Sequence, residues 1–316
     1  MGSENDSRPH FNVVSCDRPS ALVEQILAHR EERRIPLACT VRGCGVALEK
    51  RERAYICGAG HTYDIARSGY VNLLQPQDRR SRDAGDSKAA LEARAALLAA
   101  GVGRTLIEAV TAKAISLDLP TDAVVVDLGS GTGDALAALA HSGAIIGVGI
   151  DLSTAAAEHA ARQFSDCLWV VANADRRLPL LDASVDLVLS LHGRRNPAEA
   201  ARVLAKDGAL LIALPAPDDL IELRTIAQGE AVERDRGAAL FAEHQRWFDL
   251  VARVLVKETL TLDRDALLHL LRGTYRGARR AAAERVASME RMPVTLASEI
   301  FVMRKGKADW PYNPAP

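Results

Sequence analysis

The stretch Val124–Asp134, with the sequence VVVDLGSGTGD, decides the fold of this 316-residue chain. Its β-branched start is typical of a buried strand, and three glycines at alternate positions follow. Asp134 then opens an Ala/Leu-rich stretch, 135–140, that predicts a helix. Strand, glycine turn and helix form the first unit of a doubly wound nucleotide-binding sheet. In such a unit the glycines let the backbone approach a ligand, and the helix N-terminus favours an anion.

The spacing of the glycines distinguishes two kinds of nucleotide-binding loop. A dinucleotide fingerprint has the pattern G-x-G-x-x-G, whereas here the third glycine falls one residue earlier and Asp134 stands in its place. The stretch resembles motif I of the class I S-adenosylmethionine (SAM) methyltransferases. That resemblance implies an α/β, Rossmann-like domain with a doubly wound sheet. It also implies cofactor contacts by Asp127, Gly129, Gly131, Thr132 and Gly133.

Two later strands are predicted to end beside the same pocket. The apolar run Ile145–Ile150 ends in Asp151, whose carboxylate can accept hydrogen bonds from both hydroxyl groups of a ribose. The run 168–172 is followed by Asn-Ala-Asp, which places an acid beside the expected adenine pocket. The further predicted cofactor contacts are Asp151, Leu152, Ala174 and Asp175. The alternative is an ordinary α/β core whose glycines only form turns.

Four residues of metal-ligand type precede this domain: Cys39, Cys44, Cys57 and His61. Thiolates and an imidazole at C-x4-C and C-x3-H spacing, flanked by glycines, can close a tetrahedron around Zn²⁺. Because all four ligands are protein groups, we predict a structural zinc site in a small ribbon with short strands at 47–48 and 54–56. The alternative is a set of buried free cysteines with a surface histidine.

Length, composition and charge limit what the chain can be. A chain of 316 residues can bury a large core, and one large domain plus a small one fits that length. No apolar run reaches about 18 residues, and residues 1–18 lack an apolar secretory core, so we expect a cytoplasmic protein without a membrane partner. Five cysteines without an export signal argue against a disulfide framework. A net charge of −1 confines any RNA contact to local basic patches.

Three stretches between the cysteines and motif I carry a more specific resemblance. They are GHTYDIARSGYVNLL at 60–74, RRSRDAGDS at 79–87 and EARAALLAAG at 92–101. With the cysteine ribbon and motif I they resemble the RlmA-type ribosomal RNA methyltransferases, from about Pro36 to Lys305. That family joins a zinc ribbon to a class I methyltransferase domain and methylates guanine N1 in a hairpin of bacterial 23S rRNA. The resemblance implies SAM and structural Zn²⁺ as cofactors and 23S rRNA or a large-subunit precursor as partner. A homodimer is compatible with the sequence.

Composition and motifs divide the chain into four predicted segments. They are an N-terminal extension (1–35), the zinc ribbon (36–75), a linker with a helix (76–100) and the methyltransferase domain (101–316). In the last segment, apolar patterning predicts strands at 185–190, 209–214, 251–262 and 298–304 and helices at 198–204, 219–232 and 263–271. The segment Lys206–Gly208 is predicted to form a turn before the second of these strands.

The linker contains three arginines within four residues: Arg79, Arg80 and Arg82. One interpretation is that these guanidinium groups bind phosphates of an RNA substrate. The other is that they form internal ion pairs with Asp83 and Asp86, which would pack the linker over the cofactor pocket. Both interpretations hold together if the segment is a lid.

The substrate side departs from the family's pattern at two places. After the fourth strand, where the family has Tyr-Ala-Pro, this chain has LHGRRNP at 191–197. Near the C-terminus, Thr274-Tyr275-Arg276 stands where the family has Thr-Pro-Phe or Thr-Pro-Tyr. These segments are expected to border the target base, so the departures leave the identity of that base open.

The candidate catalytic residue is His192, which follows the fourth strand. Guanine N1 carries a proton at neutral pH, so methylation there needs a base or a polarising donor, and a histidine titrates in the right range. The alternative is a structural or surface histidine. The neighbouring Arg194 and Arg195 either bind a phosphate or a base edge, or form part of a solvated loop.

Three functions are compatible with the sequence. The first is methylation of a guanine in a large-subunit rRNA hairpin by a SAM-dependent enzyme. The second is methylation of a small molecule by the same fold, against which the zinc ribbon argues. The third is a non-catalytic RNA- or ribosome-binding role in which the cofactor site serves stability, and the altered substrate motifs keep this third function open. Transfer of labelled methyl groups into total RNA distinguishes them.

Overall fold

The computed structural model describes residues 35–78, 85–143, 145–228, 235–274 and 280–306. Residues 35–316 form one compact unit, so the ribbon and the large sheet belong to the same body. Residues 1–34 of the predicted extension, the arginines at 79–82, Tyr275 and Arg276 lie outside the described residues.

The strands lie in two sheets. A small antiparallel sheet, the ribbon, contains β1 Leu48–Arg51, β2 Ala54–Cys57 and β3 Thr62–Asp64. The large sheet contains β4 Val71–Asn72, β5 Ala123–Leu128, β6 Ile145–Asp151, β7 Leu168–Val171, β8 Val185–Leu191, β9 Leu204–Pro215, β10 Phe248–Asp263 and β11 Arg291–Lys305. Its strand order is β10-β11-β9-β8-β5-β6-β7-β4. Strands β4 to β9 run parallel, whereas β11 is antiparallel to both β9 and β10.

Helices lie between the strands in chain order. They are α1 Lys88–Ala99, α2 Arg104–Ile115, α3 Asp134–Ser142, α4 Thr154–Gln163, α5 Pro197–Val203, α6 Ile221–Gln228, α7 Gly237–His244, α8 Arg264–Thr274 and α9 Arg280–Ala287. The path β5-α3-β6-α4-β7 leads to one side of β5, and β8-α5-β9 leads to the other. The direction therefore reverses between β5 and β8, which confirms the predicted doubly wound sheet. In such sheets the ligand site lies at the carboxyl ends of the strands beside this reversal.

Strand β5 is the centre of the core. All six of its residues are buried, because helices cover both faces of a parallel sheet. Val124, Val126 and Leu128 join one apolar cluster, whereas Ala123 and Val125 join the cluster on the opposite face. This alternation follows from the period of two in a strand, and the glycines follow directly after the buried end of β5.

The ribbon packs directly on the large sheet. Leu37 forms an antiparallel bridge with Leu180, and the Ala38 N–H donates to Pro179 O at 3.0 Å. After the ribbon, β4 adds a parallel strand at the edge of β7. Leu37 is fully buried and belongs to the same apolar cluster as Val124 of β5. A single core therefore supports both the ribbon and the large sheet.

The predicted turn at Lys206–Gly208 is wrong, because β9 begins at Leu204 and includes this segment. Leu204 pairs with Val185 and Ala209 pairs with Leu187, so the intervening residues bulge while the strand continues. Strands β10 and β11 also begin earlier than the apolar pattern predicts, at 248 and 291. They pair with each other along most of their length. Strand β10 is largely exposed, so its residues do not show the alternation of apolar and polar side chains that marks a strand.

In the part of the chain that the structure describes, no single helix combines the length and the apolar composition needed to cross a membrane. Helices α1 and α2 meet those criteria only when taken together, and the pair is bent by 80° at the break between them.

Candidate functional site

The four predicted metal ligands come together in the ribbon, with their ligand atoms all within 4.8 Å of one another. His61 Nδ1 lies 3.4 Å from both Cys39 Sγ and Cys57 Sγ, and Cys44 Sγ lies 3.9 Å from Cys57 Sγ. A tetrahedral zinc ion with bonds of about 2.3 Å to sulfur places its sulfur ligands about 3.8 Å apart. The cluster therefore fits a closed Zn²⁺ site, in which four protein groups leave no position for a substrate.

Turns and a tyrosine support these ligands. The Cys44 N–H donates to Val41 O and the Gly60 N–H donates to Cys57 O, each at 2.9 Å, so each pair of ligands lies on a tight turn. The hydroxyl of Tyr63 lies 3.2 Å from Cys39 Sγ and accepts a hydrogen bond from the Thr40 N–H at 3.2 Å. Tyr63 thus orients a metal ligand from outside the cluster. Spacing rules did not select it, although it lies in the distinctive stretch 60–74.

The glycine loop after β5 is attached to the end of β6. The Gly129 N–H donates to Ile150 O at 2.8 Å, and the Gly131 N–H donates to Asp151 Oδ2 at 2.9 Å. Both glycines have a left-handed backbone, with φ of +77° and +54°, which a side chain would strain. Thr132, the next residue, is buried. The loop therefore presents bare backbone at the carboxyl ends of β5 and β6.

Gly133 has a packing role as well as its predicted position beside the cofactor. It precedes α3 with φ of +89°, and a Cβ at this position would lie 2.6 Å from the Trp169 ring and 2.9 Å from Ala160 Cβ. The missing side chain therefore lets β7 and α4 pack beneath the loop. Contact between Gly133 and the cofactor stays a prediction.

Asp127 is a buried acid at the end of β5. Its residue is only 2% exposed, and its Oδ1 atom has no hydrogen-bond partner among the described residues. Burial raises the pKa of Asp127 to about 7, and the negative charge of Asp151 adds to this effect. A buried, unpaired carboxylate is costly unless a cationic group pairs with it, so its position fits a ligand that carries a positive charge.

Asp151 is held in place by backbone groups. Its Oδ1 accepts from the Ser153 N–H at 2.8 Å, while its Oδ2 accepts from Gly131. Burial raises the pKa of Asp151, whereas these two hydrogen bonds and the charge of Arg94 oppose that rise. Each carboxylate oxygen keeps a further lone pair, so the geometry leaves both oxygens able to accept a ribose hydroxyl.

The segment that starts at Gly85 covers this acid. A Cβ at Gly85, whose φ is +96°, would lie 2.8 Å from the backbone nitrogen of Ser153. Ser153 Oγ donates to Asp86 O at 2.9 Å. The carboxylate of Asp86 pairs with Arg94 of α1. The predicted partners of Asp86, the arginines at 79–82, lie outside the described residues.

The third strand end contains the predicted adenine-side residues. Asn173 Oδ1 accepts from the Asp175 N–H at 2.9 Å, and Asn173 Nδ2 donates to Asp78 O at 2.9 Å. Ala174 between them is buried. Asp175 Oδ2 lies 3.8 Å from Arg194 Nη1, so this strand end faces the loop that follows β8.

His192 lies at the carboxyl end of β8 with a positive φ of 54°. Its N–H donates to Ala213 O at 2.9 Å, and its Nε2 lies 2.9 Å from Ser298 Oγ. The residue is exposed at the cleft. Displacement of water by the surrounding protein lowers the pKa of His192, and the charges of Arg236 and Arg94 add to this. The ring is therefore neutral at neutral pH, and it is a weaker base than an ordinary histidine.

The loop 191–197 touches the glycine loop through Gly193. A Cβ at Gly193 would lie 2.5 Å from Leu128 O, and a Cβ at Gly129 would lie 3.4 Å from Gly193 Cα. The two loops thus pack glycine against glycine, which brings His192 next to the glycine loop. Sequence reasoning missed Gly193, although it is the one glycine within LHGRRNP.

The two arginines of this loop have different surroundings. The Arg194 side chain is 76% exposed, and it is open to solvent beside the cleft. Arg195 is less exposed, since its Nη1 donates to Gly193 O at 3.4 Å and its Nε lies 3.8 Å from Glu243 Oε2. Arg194 is therefore the residue of the pair that can reach a phosphate.

Arg94 is the other site residue that sequence reasoning missed. Its guanidinium lies over the glycine loop and donates to Gly273 O of α8 through Nε at 3.0 Å and Nη2 at 2.8 Å. The signal for Arg94 was its place in EARAALLAAG, one of the three stretches that carry the family resemblance.

The sheet order, the glycine loop and the acids at three strand ends define a class I SAM-dependent methyltransferase. The donor set fits SAM, since the unpaired Asp127 suits its ammonium group, Asp151 suits its ribose, and bare glycines leave room for its chain. The ribbon adds a second cofactor, Zn²⁺.

Comparison with known proteins gives the family. A model described as a methyltransferase domain matches residues 125–208, and one described as "RlmA, N-terminal", a zinc ribbon, matches residues 38–82. The 23S rRNA (guanine(748)-N(1))-methyltransferase of Streptomyces fradiae is 37% identical over 228 residues, which cover 71% of this chain and 80% of that protein. Relatives from Micromonospora griseorubida and Bacillus subtilis are each 34% identical and are covered to 84% and 77%. The chain belongs to the RlmA-type 23S rRNA (guanine-N1)-methyltransferase family.

Solved structures with related folds are more distant. The YcgJ protein of Bacillus subtilis has a TM-score of 0.44 and 19% identity, over 63% of this chain and 100% of that one. A SAM-dependent methyltransferase from Thiobacillus denitrificans, in complex with S-adenosyl-L-homocysteine, has a TM-score of 0.42 and 20% identity, over 63% of this chain and 91% of that one. The family assignment rests on the relatives and the two family models.

Proposed function

We propose that this protein transfers the methyl group of SAM to N1 of a guanine in a hairpin of 23S rRNA. The observation that carries the proposal is the combination, in one compact unit, of an RlmA-type zinc ribbon with a class I cofactor pocket. The relative from Streptomyces fradiae bears the name of that activity. Small-molecule methylation leaves the ribbon, which packs on the same core, without a role.

The cofactor is held, in this proposal, by the acids and the glycine loop. Asp127 binds the ammonium group through its unpaired Oδ1, and Asp151 accepts both ribose hydroxyls. Gly129, Gly131, Thr132 and Gly133 line the amino-acid part, while Leu152, Ala174 and Asp175 surround the adenine. The loop 191–197 borders the side of the pocket proposed for the target guanine, because Gly193 packs against Leu128 O.

SAM supplies an already electrophilic methyl group when bound, so the protein has little covalent chemistry to perform. Its own residues must align the guanine with that methyl group and exclude water. They must also remove the N1 proton. We assign this last task to His192, whose ring is neutral and lies at the carboxyl end of β8. With its proton on Nε2, shared with Ser298 Oγ, Nδ1 is the acceptor.

The RNA is proposed to pass between the ribbon and the cofactor pocket. Arg79, Arg80 and Arg82 belong to the segment that joins the two, and Arg194 is exposed at the cleft. Phosphate contacts by these side chains would orient the hairpin without reading its sequence. The cytoplasm, where ribosomal RNA is made in bacteria, is the location that this substrate requires.

We further propose that two copies associate through β10. This strand is at the edge of the large sheet, and Leu250, Val251, Val254 and Leu255 on it are all exposed, Val251 to 60%. An exposed apolar edge strand is a template for pairing with a second chain. Sedimentation velocity should give a dimer that Leu255→Lys dissociates, and a monomeric wild-type protein contradicts this proposal.

The activity is tested on 23S rRNA from cells that lack the gene. Purified protein and SAM should produce a stop in reverse transcription at one guanine, because a methyl group on N1 blocks Watson–Crick pairing. The stop should be absent without SAM and strongly reduced in Asp151→Ala. Methyl label in a small molecule instead of RNA, or cofactor binding without any RNA label, contradicts the proposal and favours one of the other two functions.

A further inference from the structure

Arg94 of α1 places a positive charge beside the glycine loop that follows β5. Its Nη1 lies 3.7 Å from the position that a Cβ at Gly131 would occupy. Its charge opposes the rise that burial causes in the pKa of Asp151, and it adds to the lowering of the pKa of His192. Gly131 also donates its N–H to Asp151 Oδ2 at 2.9 Å, so the guanidinium faces the glycine loop beside the acid assigned to the ribose.

The hydrogen bonds of Arg94 leave donors unused. A guanidinium has five N–H groups. Nε and Nη2 each donate to Gly273 O, and Nη1 donates to Asp86 Oδ2. Two N–H groups, one on Nη1 and one on Nη2, have no protein partner in the ranges that the structure describes. The side chain is 36% exposed, so a ligand in the pocket can reach these groups.

The charges of the pocket complement those of SAM only if a cationic side chain of the protein contacts the carboxylate of SAM. SAM carries a sulfonium, an ammonium and a carboxylate. Asp127 and Asp151 supply negative charge near the glycine loop, and Asp86 adds a third carboxylate. A ligand carboxylate placed among these three acids would be repelled unless the guanidinium of Arg94 met it.

We propose that Arg94 binds the α-carboxylate of the methionine part of SAM through its two remaining N–H groups. Asp86 and Gly273 O hold the guanidinium plane in place before the cofactor arrives, so little side-chain freedom is lost on binding. The proposal rests on the cofactor site described above and adds to it the residue that recognises the amino-acid end of the ligand.

The competing explanation is that Arg94 is only a structural connection between α1 and α8. The two explanations differ in which ligands they affect. If Arg94 binds the carboxylate, its loss weakens the affinity for SAM and not for decarboxylated SAM, which keeps the sulfonium, the amine and the adenosine. If Arg94 is only a structural connection, its loss disturbs the residues around the whole pocket and weakens the affinity for both ligands equally.

The test is isothermal titration calorimetry of the full-length zinc-loaded protein with SAM and with decarboxylated SAM. Wild-type protein should bind SAM about 10- to 100-fold more tightly than the decarboxylated compound, as expected for a charge-assisted hydrogen bond pair. Arg94→Gln should bring the two affinities within about twofold of each other by weakening SAM alone. Arg162→Gln, at an exposed arginine on α4 paired with Glu158, is the matched control and should retain the wild-type preference.

Several results would overturn the inference. An equal loss of affinity for both ligands in Arg94→Gln would mean that Arg94 is only a structural connection. Equal affinity of wild-type protein for the two ligands would exclude a carboxylate receptor even if Arg94→Gln did not fold. If the wild-type protein bound neither ligand, the proposed cofactor site itself would be overturned. This outcome differs from the two above, in which the cofactor site stands and only the role of Arg94 fails.

Discussion

At the residue scale, the site depends on a few side chains whose surroundings differ from water. Asp127 is buried with an unpaired oxygen, and Asp151 has both oxygens on backbone N–H groups. The same burial that raises both pKa values makes the pair expensive without a cationic ligand. The ligand-free pocket is therefore a source of instability that the cofactor relieves.

The raised pKa of Asp127 predicts a pH dependence of stability. Its folded-state pKa of about 7 exceeds the ordinary value of 3.8. Between these values the unfolded chain has lost a proton that the folded protein keeps. The free energy of unfolding of ligand-free protein should therefore fall as pH rises through this window and level off above it. In urea unfolding at a series of pH values, Asp127→Asn should show a shallower fall. Identical profiles would mean that Asp127 is already ionised in the folded protein.

The second residue-scale prediction concerns the metal. Zinc analysis of purified wild-type protein should give near one ion per chain. Cys57→Ser removes one of four ligands, so zinc content should drop and the melting temperature should fall. The matched control is Cys167→Ser, at a buried cysteine of the sheet core outside the cluster, which should keep its zinc. Full zinc retention in Cys57→Ser would contradict the assignment.

At the element scale, the site is formed where loops from neighbouring strands touch. The glycine loop after β5 and the loop after β8 pack through Gly129 and Gly193. The ribbon packs on the segment 178–180, which helix α5 fixes in place through Arg202. The positions of these loops and segments, more than the helices themselves, determine where base, methyl group and metal lie.

The contact between the two loops predicts that Gly193→Ala is destabilising. The new methyl group would lie 2.5 Å from Leu128 O, a backbone atom that cannot rotate away. The expected cost is about 1–3 kcal/mol in the free energy of unfolding, with weaker cofactor binding in calorimetry. Gly143→Ala, where a Cβ meets nothing within 4 Å, should change neither quantity. An unaffected Gly193→Ala would show that the loops separate easily.

The buried ion pair of α5 gives a further prediction. The Arg202 side chain is 1% exposed, pairs with Glu199, and donates to Leu178 O and Leu180 O. Arg202→Met should cost about 3–5 kcal/mol in urea unfolding, because Glu199 loses its buried counter-charge. Arg162→Met, which breaks an exposed pair with Glu158, should cost below about 1 kcal/mol. Equal effects of the two changes would mean that the buried pair contributes no more than a surface one.

At the scale of the whole molecule, charge distribution decides how RNA can bind. The chain has 40 basic and 41 acidic residues, so no general positive field attracts a polyanion. Binding must depend on local groups, and Arg79, Arg80 and Arg82 form one such group, with three arginines within four residues. Phosphate contacts there would release counterions and make affinity depend on salt.

The corresponding prediction is measured in RNA-binding titrations over a range of salt concentrations. Replacing the three arginines by alanine should reduce the slope of log affinity against log salt by roughly two to three units. SAM affinity should change little, because the proposed ribose and carboxylate contacts belong to other residues. An unchanged slope with a collapse of SAM affinity would make the cluster an internal clamp and move the RNA contacts to residues such as Arg194.

Short-range patterns account for the parts that were predicted correctly. Strand β5, the glycine loop and α3 were predicted from residues 124–140. The helix predicted at 263–271 is α8, and the Oδ1 atom of Asp263 accepts from the Ala266 N–H in its first turn. The turn at Lys206–Gly208 failed because pairing with β8 carries the strand through a bulge, which local turn preferences do not record.

Local patterns in the sequence account for the groups that carry the chemistry: the four ligand-type residues of the ribbon, the glycines after β5 and the acids at three strand ends. Each depends on residues a few positions apart, and local spacing records such relations. Only the tertiary structure decided what covers the pocket. Arg94 meets Gly273 across 179 positions, and Gly193 meets Leu128 because β5 and β8 are neighbours in the sheet. Such contacts arise from strand order and helix packing, which leave no periodic pattern in the chain.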